Sequence, residues 1–366
     1  MVSLAEALAR ELNIVITVLT SLISLVILTY VIWDMHRNGS GLKSKYFEDK
    51  LFVLLCIMNI ILIGYGILIL FYNDVKDNSY LSRFMLYSPD IIYLLYALIW
   101  MLFLDYYVNR DMERIKGHMI TAIGPFILLI FFEIVIITFE YNMSRGRMSW
   151  AFQDTFDYQW LVIPYLIIEA VLTLSYIIGG FVIIRDHHRK RMEPVFLRLD
   201  FFVVPWLLGV IIGETFFSGA LGFFASVSIL ITYIPLKMRK KYLDDESRAY
   251  TEEALDFILK YIEREKIQEG CAFIVKAPMH KDQLYNIIKL NIPEGALVIH
   301  MNNGDFLIFT NIRSKLAIEV FERTIQDAGI NYDPPTSIHV MNFRRLAHES
   351  MNDFVDRVLK DERENI

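Results

Sequence analysis

Cysteine is scarce in this chain. The 366 residues hold two, Cys56 and Cys271, which excludes a disulfide framework and a cysteine-rich zinc site. No glycine-rich phosphate loop, low-complexity segment or internal repeat occurs. His280, His300, His339 and His348 show no metal-ligand spacing. His187 and His188 adjoin Arg189 and Lys190 and read as solvated charge. Ser218-Gly219-Ala220 is not a nucleophile elbow. Positive charge is not in excess either: the formal net charge is −6. The acidic C-terminal third carries no basic stripe, so nucleic acid is not an expected partner. No cofactor and no catalytic residue is expected from these patterns.

What the chain has instead is apolar length. A bilayer core takes roughly 20 apolar residues per helix. Five such stretches run from Asn13 to Asp34, Leu51 to Tyr72, Phe84 to Tyr107, Met119 to Phe139 and Trp160 to Ile184. A sixth block, Phe201 to Leu236, is too long for one span at about 1.5 Å per residue and suits two short ones. Ser218, Gly219 and Gly222 offer a turn near its middle. The first stretch lacks a basic lead and a small-residue cleavage site, so it reads as a span and not a cleaved signal.

Lys and Arg mark the cytoplasmic side of membrane loops. One side holds Arg37, Lys43, Lys45 and Lys50, then Arg110, Arg114 and Lys116. It also holds Arg185, Arg189, Lys190, Arg191 and Arg198, then Lys237, Arg239, Lys240 and Lys241. The other side holds Arg10, Lys76, Arg83, Arg145 and Arg147. Both flanks of the long block are basic, so it crosses an even number of times. The expectation is seven spans, N-terminus outside and C-terminus inside.

Four carboxylates stand out in these stretches: Asp90, Glu133, Glu169 and Glu214. Ionisable residues in spans usually face a cavity or a pathway. With this topology all four fall in the outer half, with Asn59 deeper. They define a candidate outward cavity for a small cationic ligand. The competing reading leaves them at the interface, paired with Arg83, Arg145 or Arg147.

Beyond Tyr242 the pattern changes to short elements. Thr251 to Lys266 reads as a helix, Cys271 to Val275 as a strand and Lys281 to Leu290 as a helix. Ala296 to His300 and Phe306 to Thr310 read as strands joined through Asn303-Gly304, a strong hairpin signal. Ser314 to Ala328 reads as a helix, Thr336 to Phe343 as a strand and Ala347 to Lys360 as a helix. The order β-α-β-β-α-β predicts a ferredoxin-like α+β domain behind a leading helix. The predicted divisions are 1–241 for the membrane bundle, 242–266 for a stalk helix and 267–366 for the cytoplasmic domain.

This tail resembles the GGDEF domain of diguanylate cyclases. The family's D-x-L-T-G-A-Y-N-R-x-A-L is matched by Asp244, Ala249, Tyr250, Ala254 and Leu255. Its G-G-D-E-F hairpin corresponds to Asn302-Asn303-Gly304-Asp305-Phe306, and its closing motif to Asp353 and Lys360. The resemblance implies a site where two magnesium ions, held by a first-strand acid and the hairpin's third residue, join two GTP molecules. Aligned through Lys281, the strand acids are replaced by Lys276 and Pro278, and the hairpin acid by Gly304. Asn302 and Asn303 replace the glycines that admit the base. The R-x-x-D before the hairpin is absent, and the segment between first strand and hairpin is shorter than the family's.

The expected protein is therefore an α-helical integral membrane bundle with a degenerate GGDEF-like cytoplasmic tail, in a bacterial plasma membrane. Its expected partners are the lipid bilayer, an external or membrane ligand, and a cytoplasmic protein or a second copy. Guanine nucleotide without turnover is a further expectation. An active cyclase and a transporter with a regulatory tail are the alternatives.

Overall fold

The computed structural model describes residues 4–364 except 40, 43, 45, 73–79, 110, 145–158, 191–203, 206–207, 210–211, 213–219, 245–246, 248, 265–270, 294 and 347–348. The chain divides into two compact units, Met1–Arg185 with Arg198–Ile234 and Asp186–Leu197 with Pro235–Ile366.

The first unit is helical: α1 (Leu4–Arg37), α2 (Phe47–Tyr72), α3 (Tyr80–Asn109), α4 (Met112–Ser144), α5 (Gln159–Lys190) and α6 (Ala220–Lys241). Among the described residues, six helices are long and apolar enough to cross a membrane. A helix satisfies every backbone polar group internally, which is what a lipid environment demands. The chain is thus a multi-pass membrane protein. The predicted first five spans coincide with α1 to α5, and the second half of the Phe201–Leu236 block with α6. The first half of that block lies mostly outside the described residues, although positions 204, 205, 208, 209 and 212 are helical.

α3 is the central helix. Within its apolar window 72% is buried, against 22% for α5. Its own Leu94, Tyr96, Phe103 and Leu104 have almost no exposure, and neither has Phe52 of α2, whose ring lies 5.4 Å from that of Phe103. Gly222 lies inside α6, not in the turn that the sequence predicts. A Cβ there would come within 2.9 Å of the Ile63 side chain, so the glycine lets α6 approach α2 closely. Asn59 fixes the same contact, donating to Ser226 Oγ at 2.8 Å and to the Gly222 carbonyl at 3.3 Å.

The second unit contains β1 (Tyr250–Thr251), α7 (Leu255–Arg264), β2 (Cys271–Lys276), α8 (Lys281–Asn291), β3 (Leu297–His300), β4 (Phe306–Thr310), α9 (Lys315–Ile330), β5 (His339–Arg344) and α10 (Met351–Glu364). The sheet order is β1-β3-β4-β2-β5. Only the β1–β3 pair is parallel; the other three are antiparallel.

The sheet is covered on both faces, and strand alternation assigns each side chain to one of them. Ala272, Ile274, Leu297, Ile299, Leu307 and Phe309 meet α7 and α10. Cys271, Phe273, Val275, Val298, Phe306 and Ile308 meet α8 and α9. Leu255, Ile258, Leu259 and Ile262 of α7 are buried, as are Met351, Phe354, Val355 and Val358 of α10. Both sets follow the i, i+3, i+4, i+7 spacing of an amphipathic helix. The segment predicted as a stalk helix therefore packs into the tail's own core through α7. Each unit also encloses one free cysteine, Cys56 in α2 and Cys271 in β2, both buried.

Candidate functional site

The tail hairpin is built from antiparallel register. Val275 pairs with Phe306, so Lys276 falls beside Asp305. Met301 N–H donates to the Asp305 carbonyl at 2.8 Å and Gly304 N–H to the Met301 carbonyl at 2.9 Å. Gly304 has φ +92°, a left-handed conformation that favours glycine.

Lys276, where the GGDEF resemblance leads one to expect a metal acid, is a cation paired with a hairpin carboxylate. Lys276 Nζ lies 3.2 Å from Asp305 Oδ2, and both side chains are mostly buried. Asn303 holds the same carboxylate, donating to Oδ2 at 2.8 Å, while its Oδ1 accepts the Asp305 N–H at 3.1 Å. Asn302 N–H donates to Glu252 Oε2 at 2.8 Å, tying the hairpin to the turn before α7. Pro278, the other position at which the resemblance would place an acid, is exposed in the β2–α8 connection. Phe306 is buried, with the His300 ring 5.1 Å and the Tyr285 ring 6.0 Å from its own.

A second charge pair flanks the hairpin strand. Lys281 Nζ lies 3.0 Å and His300 Nδ1 3.8 Å from Asp244 Oδ1. Ser247 donates to Asp244 Oδ2 through both N–H and O–H, at 2.8 and 2.9 Å. Burial alone would raise the Asp244 pKa. The Ser247 donors and the Lys281 ammonium outweigh it and hold the carboxyl down at about 2.

In the bundle, three of the four singled-out acids come together. Asp90 acts electrostatically on Glu133 and on Glu169, and Tyr165 feels all three. They stand on α3, α4 and α5, whose antiparallel succession brings the start of α3 to the end of α4. There Tyr80 packs edge-on against Tyr141 at 5.7 Å. Glu133 is 3% exposed and Asp90 and Glu169 are half-buried. Glu214 lies outside the described residues. Asn59 engages α6 through the Gly222–Ser226 contact described above.

The opposite end of the bundle holds buried acids that the sequence reading passed over. Asp34, Glu48, Asp49 and Asp105 are all buried. The Tyr233 hydroxyl donates to Asp34, and Ser44 Oγ donates to Asp49 at 2.7 Å. Asp105 pairs with Arg114 at 3.1 Å and approaches His118 at 3.3 Å. The available signal was position: these acids stand within a turn or two of a span's end, where a basic neighbour across the loop can reach them.

Compared with known proteins, the chain matches no family model and no curated protein.

Proposed function

We propose that the chain is a receptor-like signal transducer in which a seven-helix sensor controls a non-catalytic GGDEF-like output domain. The bundle sits in a bacterial plasma membrane, N-terminus outside, and the tail works in the cytoplasm by dimerising or by docking another protein. The helical positions between 204 and 212 support a seventh helix. The antiparallel order β3-β4-β2-β5 around two helix crossovers supports a ferredoxin-like scaffold. The loop charge bias supports the orientation.

The observation that carries the non-catalytic reading is the Lys276–Asp305 ion pair. Joining two GTP molecules requires metal beside acids that neutralise no one else. Here a lysine ammonium occupies the neighbouring strand position and compensates the hairpin's carboxylate from within the domain. Purified full-length protein given GTP and magnesium should form no cyclic di-GMP. Accumulation of that product would overturn the reading. GTP binding without turnover would instead favour a nucleotide-regulated docking module.

A transporter with a regulatory tail is the second reading. The buried acids at both ends of the bundle favour it. Against it, Asp34, Asp49 and Asp105 already hold local partners. Substrate flux in liposomes would establish the transporter.

A further inference from the structure

The acids at the start of α3 raise a question of charge. A carboxylate inside a span is costly, and a cluster of carboxylates more so. Among the described residues, the charge acting on Glu133 and on Glu169 is another acid, Asp90. Glu133 is almost wholly enclosed, yet among the described residues its Oε1 has no hydrogen-bond partner. An enclosed acceptor without a donor is uncommon and calls for an explanation. In the sequence-derived topology this cluster opens toward the outside.

The spacing narrows the occupant. Among the described residues no three His, Cys, Asp or Glu side chains approach closely enough to hold a metal ion. A hard cation such as calcium needs six to eight oxygens at about 2.3–2.6 Å, and these acids are spread too widely for that. Asp90 remains within electrostatic reach of both glutamates, and Tyr165 stands one helical turn before Glu169 and within reach of all three acids. Dispersed carboxylates beside an aromatic ring suit an extended organic cation, whose ammonium groups can each meet one acid or the ring face.

We propose that Asp90, Glu133, Glu169 and Tyr165 form a binding site for an organic polyamine-like cation. This inference rests on the sensor reading above and names the chemistry of what the sensor detects.

The test uses the full chain in lipid nanodiscs at fixed ionic strength, with spermidine as probe. Spermidine should raise the thermal midpoint in a concentration-dependent way, as a ligand of the folded state must. Glu133→Gln and Glu169→Gln should each weaken the apparent affinity at least tenfold. Asp282→Asn, on the tail surface, should leave it unchanged. No shift beyond that of matched sodium chloride would overturn the proposal, as would a shift that survives Glu133→Gln. A calcium response through the same residues would also overturn it. So would stabilisation by acid alone with no spermidine effect, since that would make the cluster a proton site. Hydrogen exchange over 235–366 separates this from the function reading. Spermidine binding with no change in the tail keeps the site and sinks the transducer. Absent binding sinks the site and leaves the cyclic di-GMP assay as the judge of the tail.

Discussion

The tail and the α3–α5 end of the bundle treat charge in opposite ways. In the tail, enclosed acids have a basic partner: Asp305 has Lys276, Asp244 has Lys281, Glu349 has Arg357. At the α3–α5 end of the bundle, the described charge beside Glu133 and beside Glu169 is a third acid, Asp90. A compensated charge is structural, because removing one member leaves the other buried alone. A cluster of like charges costs stability and is retained where something else gains from it. The tail's polar chemistry is closed on itself, whereas the proposed site at the α3–α5 end of the bundle would take a partner.

The largest expected effect tests whether the tail is a body of its own. Expressed alone, residues 242–366 should fold, and Phe273→Ala should destabilise them by about 3–5 kcal/mol. Phe273 is fully buried, with its ring 4.6 Å from that of Phe321. Urea unfolding reads the loss, and a shift below 1 kcal/mol would place Phe273 outside the tail's core.

The next effect tests compensation itself. Asp244 titrates at about 2 in the folded tail, below its ordinary value of 3.8. A depressed carboxyl stabilises above its unfolded pKa and loses that contribution as pH falls through the folded one. The tail should therefore lose about 2 kcal/mol between pH 4 and pH 2 from this group alone. Asp244→Asn should flatten that part of the profile while lowering stability at pH 7.

The bundle should answer with the opposite sign. Glu133→Gln removes one of several like charges and should stabilise the ligand-free protein by about 1 kcal/mol, since a buried charge is costlier than a buried amide. Thermal unfolding in nanodiscs without added amine measures it. Destabilisation of similar size would mean that Glu133 has a basic partner, and the contrast between the units would fall.

The smallest effect concerns the hairpin. Asn303→Ala removes two exposed hydrogen bonds to Asp305 and should cost about 0.5–1 kcal/mol in urea unfolding of the tail. A cost above 2 kcal/mol would make the turn a larger structural element than its exposure implies.

Much of this architecture was legible beforehand because two periodicities dominate. Apolar runs of bilayer length gave α1 to α5, and short apolar runs, two of them flanking Asn303-Gly304, gave β2, β3 and β4 within a residue or two. β1 escaped because two residues carry no period; it exists through its parallel pairing with Ile299 and His300. β5 is shorter than the predicted Thr336–Phe343 because pairing with β2 starts only at His339. The resemblance alone marks Lys276 as a position where a metal acid would be expected. Its pairing with Asp305 needed the strand register, which no local pattern supplies. Asp34 and Asp105 were missed for a related reason. Their partners, Tyr233 and Arg114, belong to other helices, and packing decides which of these meet.

The two buried cysteines make the protein its own reporter. Cys56 and Cys271 are both 0% exposed, and burial pushes the Cys271 thiol above its ordinary pKa. Neither can react with an alkylating reagent until the segment around it opens. One thiol lies in each unit, so mass spectrometry of peptides after timed labelling would follow two separate clocks in one unmodified molecule. A ligand of the bundle would slow the clock at Cys56, and transmission to the tail would register at Cys271.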